Sequence, residues 1–172
     1  MSRVSVLPAE RGASADAMSD PLVSFHFGVD LSGKSLGFFM ECSGLGSENE
    51  VIEQKVVNDQ GREITMKIPG RLKWENITLK RGITSDMTIW DWRAMVVDGN
   101  VDSARINGSI IMYNMVGDEV ARWNFINGWP AKVTGPSPKA DSNEIGVEEL
   151  TITHEYIERV QAGDTAVSAD AG

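Results

Sequence analysis

Cysteine is nearly absent from this chain of 172 residues: Cys42 is the only one. A lone thiol cannot close an intrachain disulfide or build a multi-cysteine zinc site, so the fold does not depend on an oxidising compartment. Its expected role is that of a buried apolar side chain. Histidine is scarce too, with two copies. His26 has no evident metal-ligand or triad partner. His154-Glu155 is half of a zinc-binding HExxH motif, but Glu158 stands where the second histidine belongs, and on a strand His154 and Glu155 point to opposite faces. No apolar run approaches the roughly 18 residues of a membrane span. Met1 to Asp20 lacks the apolar segment of a secretion signal. Positive charge is in deficit, with 16 Lys and Arg against 25 Asp and Glu and a net charge of -9. That balance disfavours a free-standing nucleic-acid binder, whose phosphate contacts need clustered cations.

What is present fits a folded domain. The chain is 41% hydrophobic, enough for one substantial core. Residues 1–20 and 161–172, rich in Ala, Ser, Gly and Asp, read as flexible tails flanking one domain over 21–160.

Between the tails the periodicity is mostly two, the signature of strands. Val23, Phe25, Phe27 and Val29 alternate with polar or small residues; a turn at Asp30 to Lys34 and a strand from Leu36 to Cys42 complete a hairpin. A second hairpin is expected from Asn49–Val57 and Arg62–Ile68, joined by Asn58-Asp59-Gln60-Gly61. Its returning arm sets Ile64, Met66 and Ile68 on one face. Its first arm is mixed, with Val51 and Val57 on one side and Ile52 and Val56 on the other, so the ribbon is incompletely satisfied alone and suits either packing on a neighbouring subunit or an ordinary exposed hairpin. After Pro69-Gly70, the run Leu72 to Lys80 changes phase, which predicts a bulge near Glu75-Asn76. One good helix is expected over Asp86–Val97, capped by Ser85 or Asp86, with Met87, Trp90, Ala94 and Val97 covering a sheet. Strands follow at Ala104–Tyr113, Val120–Ile126, Ala131–Thr134 and Gly146–Val160. In the last of these Leu150, Ile152, His154 and Tyr156 share one face, and Glu149, Thr151, Thr153 and Glu155 the other. The sum is a mainly β protein, a compact antiparallel β-barrel or pair of packed sheets with one flanking helix.

The sharpest chemical motif is Gly28-Val29-Asp30-Leu31-Ser32-Gly33-Lys34-Ser35, which satisfies the phosphate-loop pattern GxxxxGK[ST]. A nucleotide-binding protein using Gly28 to Ser35 is therefore the alternative of a different class. Context opposes it. A phosphate loop must open a helix, whereas Leu36 to Cys42 is short and strand-like, and the surrounding fold must alternate strands and helices. The five tryptophans have flanks that are not basic and suit packing better than base stacking. No catalytic residue, cofactor or metal site is expected.

Several segments together resemble the tail-tube (inner-tube) proteins of contractile phage tails and contractile injection systems. They are Gly37-Phe38-Phe39-Met40-Glu41-Cys42-Ser43-Gly44-Leu45, Ile68-Pro69-Gly70, Asn76-Ile77-Thr78-Leu79-Lys80-Arg81-Gly82, Trp90, Arg122-Trp123 through Asn127-Gly128-Trp129-Pro130, Asn143-Glu144-Ile145 with Glu148-Glu149, and His154-Glu155. The resemblance implies a barrel subunit forming hexameric rings that stack into a hollow tube, driven through a target envelope by a contracting sheath. A tube-initiator or baseplate protein of the same fold is the near alternative. The implied partners are other copies of the chain, a sheath protein, baseplate and tube-terminator proteins, and an effector protein or phage DNA in the lumen, with assembly in the bacterial cytoplasm. By the same analogy, Val51, Ile52, Val56, Ile64, Met66 and Ile68 mark a hairpin reaching an adjacent subunit. Glu149, Thr151, Thr153 and Glu155 line the lumen, as an acidic wall that repels phosphates.

Overall fold

The computed structural model describes residues 25–137 and 145–164. The tail expected over 1–20, residues 165–172 of the tail expected over 161–172, Val23, and Asn143-Glu144 lie outside the described residues. Ten strands and two helices follow in chain order: β1 His26–Leu31, β2 Lys34–Phe39, β3 Glu41–Ser43, β4 Ser47–Val57, β5 Glu63–Trp74, β6 Ile77–Gly82, α1 Thr88–Val97, α2 Val101–Ala104, β7 Ile106–Tyr113, β8 Glu119–Thr134, β9 Val147–Thr153 and β10 Tyr156–Val160. Eight strands pair in the order β2-β1-β7-β8-β9-β6-β3, with β10 added to β8, and β4-β5 stands apart as a two-stranded ribbon.

The long strand β8 makes one structure of two sheets. Its first half pairs with β7 and β10, and its second half with β9, all antiparallel. The two expected strands, Val120–Ile126 and Ala131–Thr134, and the residues between them are thus one continuous element. The bend falls earlier. Asn127 has φ 51°, a conformation Asn tolerates better than most residues. Opposite it the register steps from Ile106↔Gly128 to Gly108↔Phe125, an extra residue on β8 that marks a bulge. Pro130 is tolerated inside the strand because a second register shift falls between Pro130 and Lys132, where a missing N–H costs no ladder bond.

Alternation fixes the core. Val29, Leu36, Phe39, Ile77, Leu79, Ile110, Phe125, Leu150 and Ile152 project inward and are at most 1% exposed. Helix α1 covers them, but on a different stripe from the one the sequence predicts. Ile89 and Trp92 are buried with Met95 and Val96 packed beside them, whereas Met87 and Val97 are 58% and 69% exposed. The Trp92 indole decides the phase, donating to the Ala104 carbonyl at 2.8 Å and tying α1 to α2. The helix begins two residues later than expected, at Thr88, so Met87 and not Ser85 or Asp86 holds the N-cap position, while the Asp86 carboxylate accepts from the Thr88 N–H and hydroxyl at 3.0 and 2.6 Å. Neither the short α2 nor the breaks at Met40 and at His154-Glu155 are visible as breaks in the sequence pattern. The latter separates β9 from β10 and shifts phase, so that Ile157 is buried and Tyr156 only half-buried.

The phosphate-loop reading fails on geometry. Gly28 lies within β1, Ser32 and Gly33 form a tight turn with φ 50° and 85°, and Lys34 begins β2. The Asp30 carboxylate accepts the Gly33 N–H at 2.7 Å, closing the turn on itself. A loop that opens a strand offers no helix N-terminus to a phosphate. Asp98 caps the C-terminus of α1.

Candidate assembly surfaces

The β4-β5 ribbon sorts its side chains by register. Ile52 pairs with Ile68, Gln54 with Met66 and Val56 with Ile64. Directly paired residues share a face, so Ile52, Val56, Ile64, Met66 and Ile68 form one apolar face interrupted only by Gln54. The first arm alone reads as mixed; pairing turns it into a two-faced ribbon. Val51, paired with Pro69, lies on the opposite face with Glu53, Lys67, Lys55 and Thr65, where Lys55 and Glu63 form an exposed ion pair at 3.0 Å. Five of the six residues expected to mark this surface come together, and one does not.

Among the described residues no other element packs substantially on the ribbon. Ile52, Ile64 and Met66 are 53%, 43% and 47% exposed. A two-stranded hairpin is marginal in water without a packed face, and full burial of one such side chain contributes about 1.5–3 kcal/mol. The root of the ribbon is firm by contrast. Trp74 packs edge-on against Tyr156 at 5.3 Å and tilts against His154 at 6.1 Å. Gly44, at φ 82°, passes so close to the Asn76 backbone that a Cβ there would overlap it. The sequence predicts a break at Pro69-Gly70, yet β5 runs through it, because the register shift on the partner strand between Asn49 and Val51 absorbs the irregularity.

A second surface is the outer face of β3, β6, β9 and the end of β8. Glu41 pairs with Lys80 and Ser43 with Thr78; Lys80 pairs with Glu149 and Thr78 with Thr151; Thr151 pairs with Lys132 and Glu149 with Thr134. Lys80 Nζ lies 3.3 Å from Glu41 Oε2. The expected wall residues Glu149, Thr151 and Thr153 share this face. Glu155 does not continue it: it lies beyond the end of β9 and accepts from the Asn127 side chain at 2.8 Å. Nor is the face simply acidic. Lys80 and Lys132 belong to it, a fact hidden in sequence because they come from other strands. Met40, Val147 and the half-buried Trp129 stand at its margins.

Beneath the two surfaces lies a buried polar knot. The Arg81 and Glu148 side chains are each 5% exposed, and Arg81 Nε meets Glu148 Oε2 at 3.2 Å. The other Glu148 oxygen accepts the Trp90 indole N–H at 3.0 Å, while Arg81 also donates to the Leu36 carbonyl at 3.0 Å and stacks over Phe39. One ion pair thus ties β6, β9, α1 and β2. His154 is structural, as expected: its Nε2–H donates to the Glu75 carbonyl at 2.9 Å, and burial holds its pKa below the ordinary 6.5. Cys42 is largely buried and its thiol pKa is pushed up to about 12 by desolvation. Among the described residues no group of three His, Cys, Asp or Glu side chains could hold a metal ion, and no helix is long and apolar enough to cross a membrane.

A bent antiparallel barrel, flanked by a helix and carrying a long ribbon with an unfilled apolar face, defines a structural subunit of the tail-tube class. The chain belongs to the family of the T4-like virus tail tube protein gp19, whose family model matches residues 23–158. Solved structures agree. The chain is similar to one from the PVC sheath-tube complex of an extracellular contractile injection system in the extended state (26% identity, 84% of this chain and 94% of that chain covered, TM-score 0.64). It is similar also to one from the tube-terminating cap of the anti-feeding prophage (26% identity, 88% and 99% covered, TM-score 0.65). A chain of the anti-feeding prophage baseplate shares the fold at 17% identity, with 83% and 97% covered and a TM-score of 0.65. Comparison with curated proteins brings no match.

Proposed function

We propose that this inner-tube subunit closes into six-membered rings that stack into the hollow core of a contractile injection particle or phage tail. The apolar face of the β4-β5 ribbon, exposed and without a packing partner among the described residues, is the observation that carries the proposal. A second copy completes Ile52, Val56, Ile64, Met66 and Ile68, with Val51 on the reverse side meeting a different part of the neighbour. The outer face of β3, β6, β9 and β8, bearing Glu149, Thr151 and Thr153, lines the bore. A sheath surrounds the tube, and baseplate and terminator proteins of related fold close its ends. The subunits assemble in the bacterial cytoplasm and act by position, without catalysis. The sheath-tube and tube-cap structures that the chain resembles at 26% identity support this reading.

Electron microscopy of the purified full chain, alone and with baseplate partners, tests it. Rings or tubes are expected. Ile64→Asp with Met66→Asp should abolish them while leaving the circular dichroism and melting of the isolated subunit nearly unchanged. A parent chain that stays monomeric at high concentration, with partners supplied, would refute the proposal; unfolding of the double variant would place that face in the intrachain core.

A further inference from the structure

We infer that the bore is a charge-compensated surface suited to protein cargo rather than a phosphate-repelling one suited to DNA. The inference rests on the reading that the outer face of β3, β6, β9 and β8 lines the tube. On that face Lys80 sits between Glu41 and Glu149 as its direct cross-strand partners, with Nζ 3.3 Å from Glu41. Lys132 pairs with Thr151 and is the diagonal neighbour of Glu149, which pairs with Thr134. Diagonal neighbours across a ladder stay within reach of long side chains. Each carboxylate of the face thus has an ammonium group beside it. The net charge of -9 therefore belongs to other surfaces of the chain.

Repetition amplifies this pattern. A tube repeats each side chain around every ring and along every stack, so any uncompensated charge on the wall becomes a continuous field. DNA carries one negative charge per roughly 1.7 Å of axis, and a uniformly acidic wall would keep it off the surface along the whole bore. A compensated wall supplies no such repulsion. A protein presents both signs of charge. A wall whose charges are already paired, separated by Thr and Ser hydroxyls, offers it neither a net field nor a large apolar patch to stick to.

Tubes of the full chain carrying Thr151→Cys separate the two readings. The buried Cys42 thiol, held protonated at neutral pH, leaves position 151 as the reporter. A small maleimide dye should label assembled tubes, while a maleimide on bulky dextran should label only dissociated subunits. Dextran labelling of intact tubes would overturn the lumen reading whatever the cargo. With the lumen confirmed, retention of a short fluorescent DNA duplex is compared with that of an acidic and a basic globular protein small enough to enter. Wild-type tubes should admit the duplex at low salt, where an acidic wall would exclude it, and should release both proteins. Lys80→Glu with Lys132→Glu leaves the face acidic and should cut duplex entry about tenfold and begin to hold the basic protein. Lys80→Gln with Lys132→Gln should shift both readouts in the same direction by less, and serves where the glutamate variant does not assemble. Wild-type tubes that exclude the duplex as strongly as the lysine variants do, or that hold either protein, would overturn the charge-compensation inference alone.

Discussion

Removing the Glu148 carboxylate would strand a guanidinium inside the barrel. In Glu148→Ala, Arg81 keeps the Leu36 carbonyl at 3.0 Å and the Asp86 carboxylate at 3.5 Å, while the Trp90 indole N–H loses its acceptor. Breaking one side of a buried ion pair typically costs about 3–5 kcal/mol. Asp86, whose side chain is 43% exposed, offsets part of that, so the lower end, about 3 kcal/mol, is expected. For a chain of this size that corresponds to a fall in Tm of about 6–12 °C, measured by calorimetry or urea titration on dissociated subunits. The double variant Arg81→Met, Glu148→Leu separates stability from charge. Exchanging both partners for apolar groups of similar volume is often neutral, so it should recover most of the loss. A fall below about 1 kcal/mol for Glu148→Ala, or a double variant as unstable as the single one, would refute the view that the knot's main energetic consequence is the penalty of an unpaired buried charge.

Three further outcomes follow from the same geometry. Burial keeps His154 neutral, so the unfolded state binds the proton more readily, and stability should be full above pH 6.5 and fall as the pH drops below it. In urea titrations His154→Gln should flatten that slope, with the lowered pKa values of Glu119 and Asp86 adding a separate loss below about pH 4.5. Gly44→Ala should cost about 3 kcal/mol, through strain at positive φ and overlap with the Asn76 backbone, seen as a lower urea midpoint and as faster proteolysis at the root of the ribbon. Cys42 should resist maleimide in the folded subunit at pH 8 and react within minutes in denaturant, because its pKa of about 12 leaves almost no thiolate.

Most strands were legible from alternation alone, since one face of each is buried and one is wet. The ribbon was legible as an incomplete element, but its apolar face required the register that pairs Val56 with Ile64. Helix α1 carries two apolar stripes of similar strength, one through Trp90 and one through Trp92; only the Ala104 carbonyl, twelve residues away, selects the second. Two strands are expected on either side of Pro130 because proline usually interrupts a ladder, and here a bulge accommodates it. Glu148 alternates in phase with Leu150 and Ile152 and is buried with them, yet an acidic residue gives no sign of burial until Arg81, 67 positions earlier, is placed beside it. The lysines of the polar face were hidden for the same reason: a sheet face is composed from several strands, and one strand's sequence reports only its own share.

The continuity of β8 also governs how the subunit bears load. Two sheets joined only by hydrogen bonds can be peeled apart one bond at a time. Here a force that separates them must stretch the covalent backbone through Asn127 and Gly128, because the same strand is stitched into β7 and β10 on one side and β9 on the other. Mechanical failure is therefore directed to the strand edges, and the barrel is stiffest along the line where its two sheets meet.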